Sequence, residues 1–109
     1  MNILLTGGVG FIGSNLAKEL IKNNTVTILD NLHTGSLNNI DDIKHKITFI
    51  QKSCNNINNA NIPNDIDLIF HLGIPSSSPM YKINPLLVGE AINGTINVFE
   101  FAKLHKIQK

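Results

Sequence analysis

Gly7, Gly8, Gly10 and Gly13, inside the stretch TGGVGFIG from Thr6 to Gly13, satisfy both G-x-x-G-x-x-G and G-x-G-x-x-G. Such spacing suits a turn that brings bare backbone against a pyrophosphate. Gly7 or Gly8 permits the tight turn, Gly10 lets the backbone approach the ligand, and Gly13 removes a side chain where a helix meets a strand. Asp30 follows about 20 residues later, where this fingerprint places an acid for the ribose hydroxyls. A carboxylate there accepts from a diol and repels a 2′-phosphate, and the chain has no arginine to hold such a phosphate. Together these residues select NAD over NADP. A P-loop is excluded, because Ser14 and Asn15 follow Gly13 where Lys and Ser or Thr would be required. His71 has the chemistry of a ligand or base, yet it stands in an otherwise apolar run and is expected to be a structural strand residue. Ser76, Ser77 and Ser78 have no base placed near them in sequence and are expected to form a polar loop. No catalytic residue and no metal ligand is assigned.

The glycines need a strand before them and a helix after them. Ile3 to Leu5 is a continuous apolar run, which fits a parallel strand covered on both faces. Ile12, Gly13, Leu16, Ala17 and Leu20 form one helical stripe, with Lys18, Glu19 and Lys22 opposite. The start of that helix offers unpaired N–H groups and about half a positive charge to a diphosphate. Further strands are expected at Thr25–Leu29, Ile47–Gln51 and Ile66–Leu72. Leu37–His45 reads as a weak helical or irregular crossing, Lys52–Asp65 as a loop with at most a turn or two of helix, and Gly73–Asn84 as a loop. Asn84-Pro85 is a helix start. The last helix, from Pro85 to about His105, sets Leu87, Val88, Ala91, Ile92, Thr95, Val98, Phe99 and Ala102 on one face, predicted to lie on a sheet. Gly89 and Gly94 within it suggest close backbone approach. The order predicts an α/β fold, a partial Rossmann-type doubly wound parallel sheet of about four strands ordered 3-2-1-4. Its ligand crevice should open between the first and fourth strands.

A length of 109 residues with 42% hydrophobic content allows one domain with a real core. Nine lysines scattered among eight acids, net charge +1, give no basic stripe, so nucleic-acid or membrane-surface binding has no support. Cys54 is the single cysteine, which excludes an internal disulfide and fits a reducing compartment. The apolar start at Ile3 is short and lacks a basic leader, so it reads as a strand and not a signal peptide. No run reaches the ~20 apolar residues of a membrane span. A soluble, cytoplasmic protein is expected.

Several stretches together resemble the extended short-chain dehydrogenase/reductases, specifically the NAD-dependent nucleotide-sugar epimerases and dehydratases, with the UDP-glucose 4-epimerase type nearest. They are TGGVGFIG (Thr6–Gly13), DNLHTGS (Asp30–Ser36), IFHLG (Ile69–Gly73) and NGTINVFEFAK (Asn93–Lys103). The resemblance implies that Gly7, Gly10, Phe11, Ile12 and Gly13 line the pyrophosphate and that Asp30 and Asn31 bind the adenosine ribose. It implies that Leu32, His33, Thr34 and Gly35 close over that end, and that Leu72, Gly73 and Ile74 run beside the cofactor. Where the family carries a Gly-Asp pair at the adenine, this chain has Lys52-Ser53-Cys54, so Ser53 and Cys54 take that place. Ala91 stands where relatives commonly have asparagine, and Ile74 is bulkier than the usual small residue.

The family's catalytic Ser/Thr and Tyr-x-x-x-Lys pair have no counterpart here. Tyr81, the single tyrosine, is followed by Asn84 and Pro85 at the third and fourth positions beyond it. The resemblance therefore implies an N-terminal, NAD-binding portion of a nucleotide-sugar 4-epimerase, inactive by itself, with a dehydratase or reductase of the same family as alternatives. A different class, a freestanding non-catalytic dinucleotide-binding module that pairs with another chain, also fits. An apolar parallel edge at the fourth strand and the last helix predict homo-oligomers or other association.

Overall fold

The computed structural model describes residues 1–109. Four parallel strands, β1 (Asn2–Thr6), β2 (Thr25–Asp30), β3 (Ile47–Gln51) and β4 (Leu68–His71), form one sheet in the order β3-β2-β1-β4. This is the doubly wound arrangement expected. The chain winds outward from β1 to β3, then returns across the sheet to β4, and this reversal opens a crevice at the carboxyl ends of β1 and β4.

β1 is apolar without interruption because its two faces serve two cores. Leu4 joins Leu29, Ile57, Val98 and Phe101 on one side of the sheet, and Leu5 joins Val9, Ala17, Ile28 and Ile40 on the other. Strand alternation sends neighbouring leucines to opposite faces. Helix α1 (Phe11–Leu20) covers the second face through Gly13, Ser14 and Ala17. Ile12, expected on that stripe, is instead 69% exposed, because the first turn projects beyond the sheet.

Leu37–Ile40 and Lys44–Lys46 form two 3-10 turns, the first capped by Ser36 Oγ accepting from Asn38 N. A longer 3-10 segment at Cys54–Asn59 is capped by Ser53. β4 is shorter than the expected Ile66–Leu72. Before it, the Asp67 carboxylate turns to accept from Asn2 N at 2.7 Å; after it, Leu72 N is shared between Thr6 O and Thr6 Oγ1, both at 3.1 Å. The loop expected up to Asn84 contains a short helix, α2 (Ser78–Ile83), with proline in its first turn. The Tyr81 hydroxyl donates back to Pro75 O and ties α2 to the segment before it.

Helix α3 (Leu86–Leu104) starts as its sequence predicts: Asn84 Oδ1 accepts from Leu86 N at 3.3 Å, and Pro85 already has helical angles. It ends in a Schellman arrangement, Ile107 N to Ala102 O and Lys106 N to Lys103 O, with Lys106 at φ 57°. α3 rests mainly on the 3-10 segment and buries Leu87, Gly94, Val98 and Phe101. Val88, Ile92 and Phe99, expected on the sheet, face solvent together with Ile96. A Cβ on Gly94 would sit 3.3 Å from Cys54 Cβ, a close approach, whereas one on Gly89 would meet nothing within 4 Å. The expectation for Gly89 is thus corrected. No helix is long and apolar enough to cross a membrane.

Candidate functional site

The glycine turn is built by contacts that divide the work among its residues. Gly7 has φ +72°, and a Cβ there would lie 2.7 Å from the Leu72 carbonyl group. A Cβ on Gly13 would be 2.1 Å from Gly7 O, so glycine is required for α1 to approach the turn. Gly10 is different: a Cβ would touch only Gly7 O, at 3.4 Å. Packing within the chain does not demand glycine at that position, and Gly10 lines a cavity.

That cavity has a volume of about 600 Å³ and occupies the crevice between β1 and β4, within the range of small-molecule sites. One end is the start of α1, lined by Gly7, Gly10, Phe11, Ile12 and Gly13. The first helical amide to find a backbone acceptor is Ser14 N, on Gly10 O at 2.9 Å, and no side chain caps the helix. The N–H groups of Phe11, Ile12 and Gly13 therefore point toward the cavity end of the helix without an intrahelical acceptor. Phe11, 85% exposed, and Ile12 flank them at the mouth.

Asp30 closes the next wall. It is buried, and its carboxylate accepts from Val9 N at 3.1 Å through Oδ2 and from Leu32 N at 2.9 Å through Oδ1. Each oxygen keeps a lone pair. The carboxylate thus braces the glycine turn from below while facing the cavity. Asn31, His33, Thr34 and Gly35 line the same wall. Gly35 lies directly against Val9, and Val9 O accepts from Ser36 N and from Asn39 Nδ2. Leu32, at φ 60°, does not line the cavity; it packs toward the core beside α1.

Ser53 and Cys54 line the side beyond β3, with Lys52 and Asn55. Ser53 Oγ accepts from Asn55 N at 3.1 Å, which leaves its hydroxyl proton free to donate. The Cys54 thiol donates weakly to Gly73 O at 3.7 Å. Burial pushes the thiol's pKa up, and the Asp30 charge adds to the effect while the Thr6 hydroxyl opposes it. Leu72, Gly73 and Ile74 form the wall after β4, followed by Pro75 and Ser76. Ser77 and Ser78 lie outside the cavity.

His71, Glu90 and Asn55 also line the cavity, and none of them was expected there from the sequence. Glu90 and Asn55 had a legible signal only in part: Leu87, Glu90 and Ala91 share one helical turn spacing, and Asn55 reaches α3 by donating to Glu90 O at 3.1 Å. His71 is tied into a network, with Nδ1 2.7 Å from Thr6 Oγ1 and Nε2 3.2 Å from Thr95 Oγ1. Burial lowers its pKa below the ordinary histidine value.

Comparison with known proteins agrees with this geometry. The chain is 35% identical to UDP-glucuronic acid decarboxylase 6 of Arabidopsis thaliana over 94% of its own length and 30% of that protein's. It superimposes on the UDP-N-acetylglucosamine 4-epimerase of Methanobrevibacter ruminantium with a TM-score of 0.83 and 32% identity, over 97% of this chain and 35% of that one. The UDP-glucose 4-epimerase of Thermus thermophilus, solved with NAD, gives a TM-score of 0.81 and 25% identity over 99% and 35%. The chain therefore spans about a third of the length of these relatives. Residues 3–109 match the family model described as NAD dependent epimerase/dehydratase, and the chain belongs to that family.

Proposed function

We propose that residues 1–109 are the NAD-holding portion of an enzyme that acts on a nucleotide sugar, with 4-epimerisation of the UDP-glucose/UDP-galactose type as the reaction. The observation that carries this reading is the meeting of three features in one cavity: the unaccepted amides of α1, the open face of Gly10, and the Asp30 carboxylate. They fit a dinucleotide in shape and in charge. The α1 amides and Gly10 hold the diphosphate without a basic side chain. The free lone pairs of Asp30 take the ribose hydroxyls, and its charge disfavours a 2′-phosphate. Ser53 offers a donor at the adenine end, with Cys54 beside it. Leu72, Gly73 and Ile74 form the flat wall along the other half. NAD bound there supplies a reversible hydride acceptor for the sugar C4.

Tyr81 gives its hydroxyl to Pro75 O and lacks a lysine four residues on, so in this proposal proton transfer at the sugar is performed by residues outside 1–109. UDP-glucuronic acid decarboxylation is the second reading, favoured by the 35% identity to a protein of that name. Both keep the same role for this cavity.

Titration calorimetry of the intact protein with NAD and with NADP tests the cofactor assignment. NAD should bind at least about tenfold tighter, the worth of roughly one charged contact. Equal affinities would remove Asp30 from the ribose site, and binding of neither would remove the dinucleotide reading. Incubation with UDP-glucose and with UDP-glucuronic acid, followed by proton NMR of the products, separates epimerisation from decarboxylation.

A further inference from the structure

We propose that His71 is a positioning residue for the Leu72–Gly73 wall of the cavity: its neutral ring, with the proton on Nε2, orients the Thr6 hydroxyl that holds both backbone amides of that wall. The consequence for cofactor affinity rests on the dinucleotide reading above.

The proton positions follow from counting. Thr6 Oγ1 accepts from Leu72 N at 3.1 Å and from Gly73 N at 3.0 Å. A hydroxyl has two lone pairs and one proton. Both lone pairs are used, so the proton goes to an acceptor: His71 Nδ1, at 2.7 Å, takes it in preference to the neighbouring Cys54 sulfur, a weak acceptor whose own proton is turned to Gly73 O. Nδ1 must then be a bare acceptor, and a neutral ring carries its proton on the other nitrogen. Nε2–H donates to Thr95 Oγ1 at 3.2 Å, and Thr95 passes its own proton to Ala91 O at 2.9 Å. Every group in the line has one consistent role, from the wall after β4 to the middle of α3.

The wall has no slack to absorb a change in this line. A Cβ on Gly73 would lie 3.0 Å from Thr6 Oγ1 and 3.1 Å from Cys54 Sγ, and one on Gly7 would lie 2.7 Å from Leu72 C. Leu72 and Gly73 are thus seated between the glycine turn and the 3-10 segment. A second ring proton on Nδ1 would point at an oxygen whose lone pairs are already taken, and Thr6 would have to release one amide. Within β1 and β4 no other titratable side chain is present. Around the cavity the others are His33 after β2, Cys54 and Lys52 beyond β3, Glu90 on α3, and Asp30, which is held by Val9 and Leu32. His71 owes its lowered pKa to burial, so the ring is neutral in neutral solution and the line is intact there.

Long-range proton–nitrogen NMR of histidine-labelled intact protein reads the ring directly. At about pH 7.5, above the ordinary histidine pKa, the proton should be on Nε2 and the lone pair on Nδ1. A proton on Nδ1, or a charged ring, would overturn the proposal. As the pH is lowered through the ring's own titration, followed in the same spectra, the Leu72 and Gly73 amide resonances should move together with the His71 ring. They should stay fixed in His71→Asn, whose amide oxygen replaces Nδ1 as acceptor without titrating. Amides that ignore the ring, or that titrate equally in the variant, would overturn it. NAD affinity should fall roughly tenfold over the same range in the wild type, the worth of one lost hydrogen bond, and stay flat in His71→Asn. His33→Asn controls for the other histidine at the cavity, and a pH dependence abolished by that variant instead would also overturn the proposal. A protein whose amides follow His71 but which binds no NAD would overturn the dinucleotide reading alone.

Discussion

Asp30 illustrates how one side chain answers two demands. Its sequence position marks it for the ribose, but both of its oxygens already accept backbone amides, Val9 N and Leu32 N. Asp30→Asn keeps the shape and removes one acceptor, so an amide NH₂ must face one of those two N–H groups. Leaving a buried donor unpaired costs about 1–3 kcal/mol. The variant is expected to melt at lower temperature and to bind NAD at least about tenfold more weakly, by calorimetry beside a thermal scan. Loss of affinity with unchanged stability would mean that the two amides find other acceptors. The bracing role was not legible, because it depends on where Val9 and Leu32 return in space. Cys54 gives a second test at this scale. Its raised thiol pKa keeps it protonated at neutral pH. That neutral thiol contributes stability below the unfolded-state pKa, and the contribution is lost as pH rises toward the folded-state value. Its reaction with a disulfide reagent at about pH 8 should be at least tenfold slower than that of an unstructured cysteine, and slower again with NAD present. Reaction at the speed of the unfolded chain would contradict the burial of Sγ against Gly73.

Among the elements, the helices show best what patterning can and cannot decide. Gly13 and Gly89 are both helical glycines, yet their surroundings are opposite. Gly13→Ala forces a methyl group to within 2.1 Å of Gly7 O and should cost about 1–3 kcal/mol by overpacking, with loss of cofactor binding. Gly89→Ala meets nothing within 4 Å and should stabilise α3 by about 0.5–1 kcal/mol. Thermal melts of the two variants check the contrast, and a destabilising Gly89→Ala would mean that something covers that part of α3. The sequence assigned Gly13 correctly because its spacing belonged to a turn with a mechanical requirement. It misjudged Gly89 because a glycine inside a helical pattern carries no information about what lies outside. The apolar arc of α3 runs from Phe101 through Leu87 to Val88, Phe99 and Ile92, with Thr95 as its polar interruption, and is wider than the surface beneath it. Periodicity shows that such an arc exists, but not which half is inside. The strands were easier, since β1 and β2 are bounded by turn residues and are buried nearly throughout. α2 was hidden because its six residues are too few to show a period.

At the scale of the molecule, the uncovered half of α3 has a consequence. Val88, Ile92, Ile96 and Phe99 are 48%, 55%, 52% and 70% exposed and lie on one side of a single helix. An exposed patch of large apolar side chains along one helix face marks a contact surface. β4 beside it is half-buried along its whole length, with one further backbone link, Ile69 N donating to Lys109 O at 2.9 Å. The isolated chain of residues 1–109 is therefore expected to self-associate through α3 and the β4 edge. Sedimentation velocity should show species larger than the 12.0 kDa monomer in the micromolar range where exposed apolar surface promotes association. Ile92→Glu combined with Phe99→Glu should restore a monomer. Neither residue lines the cavity, so NAD affinity should be unchanged in that double variant. A wild-type chain that sediments as a clean monomer would show that these side chains are tolerated in water, and the α3 surface would then have no part in assembly.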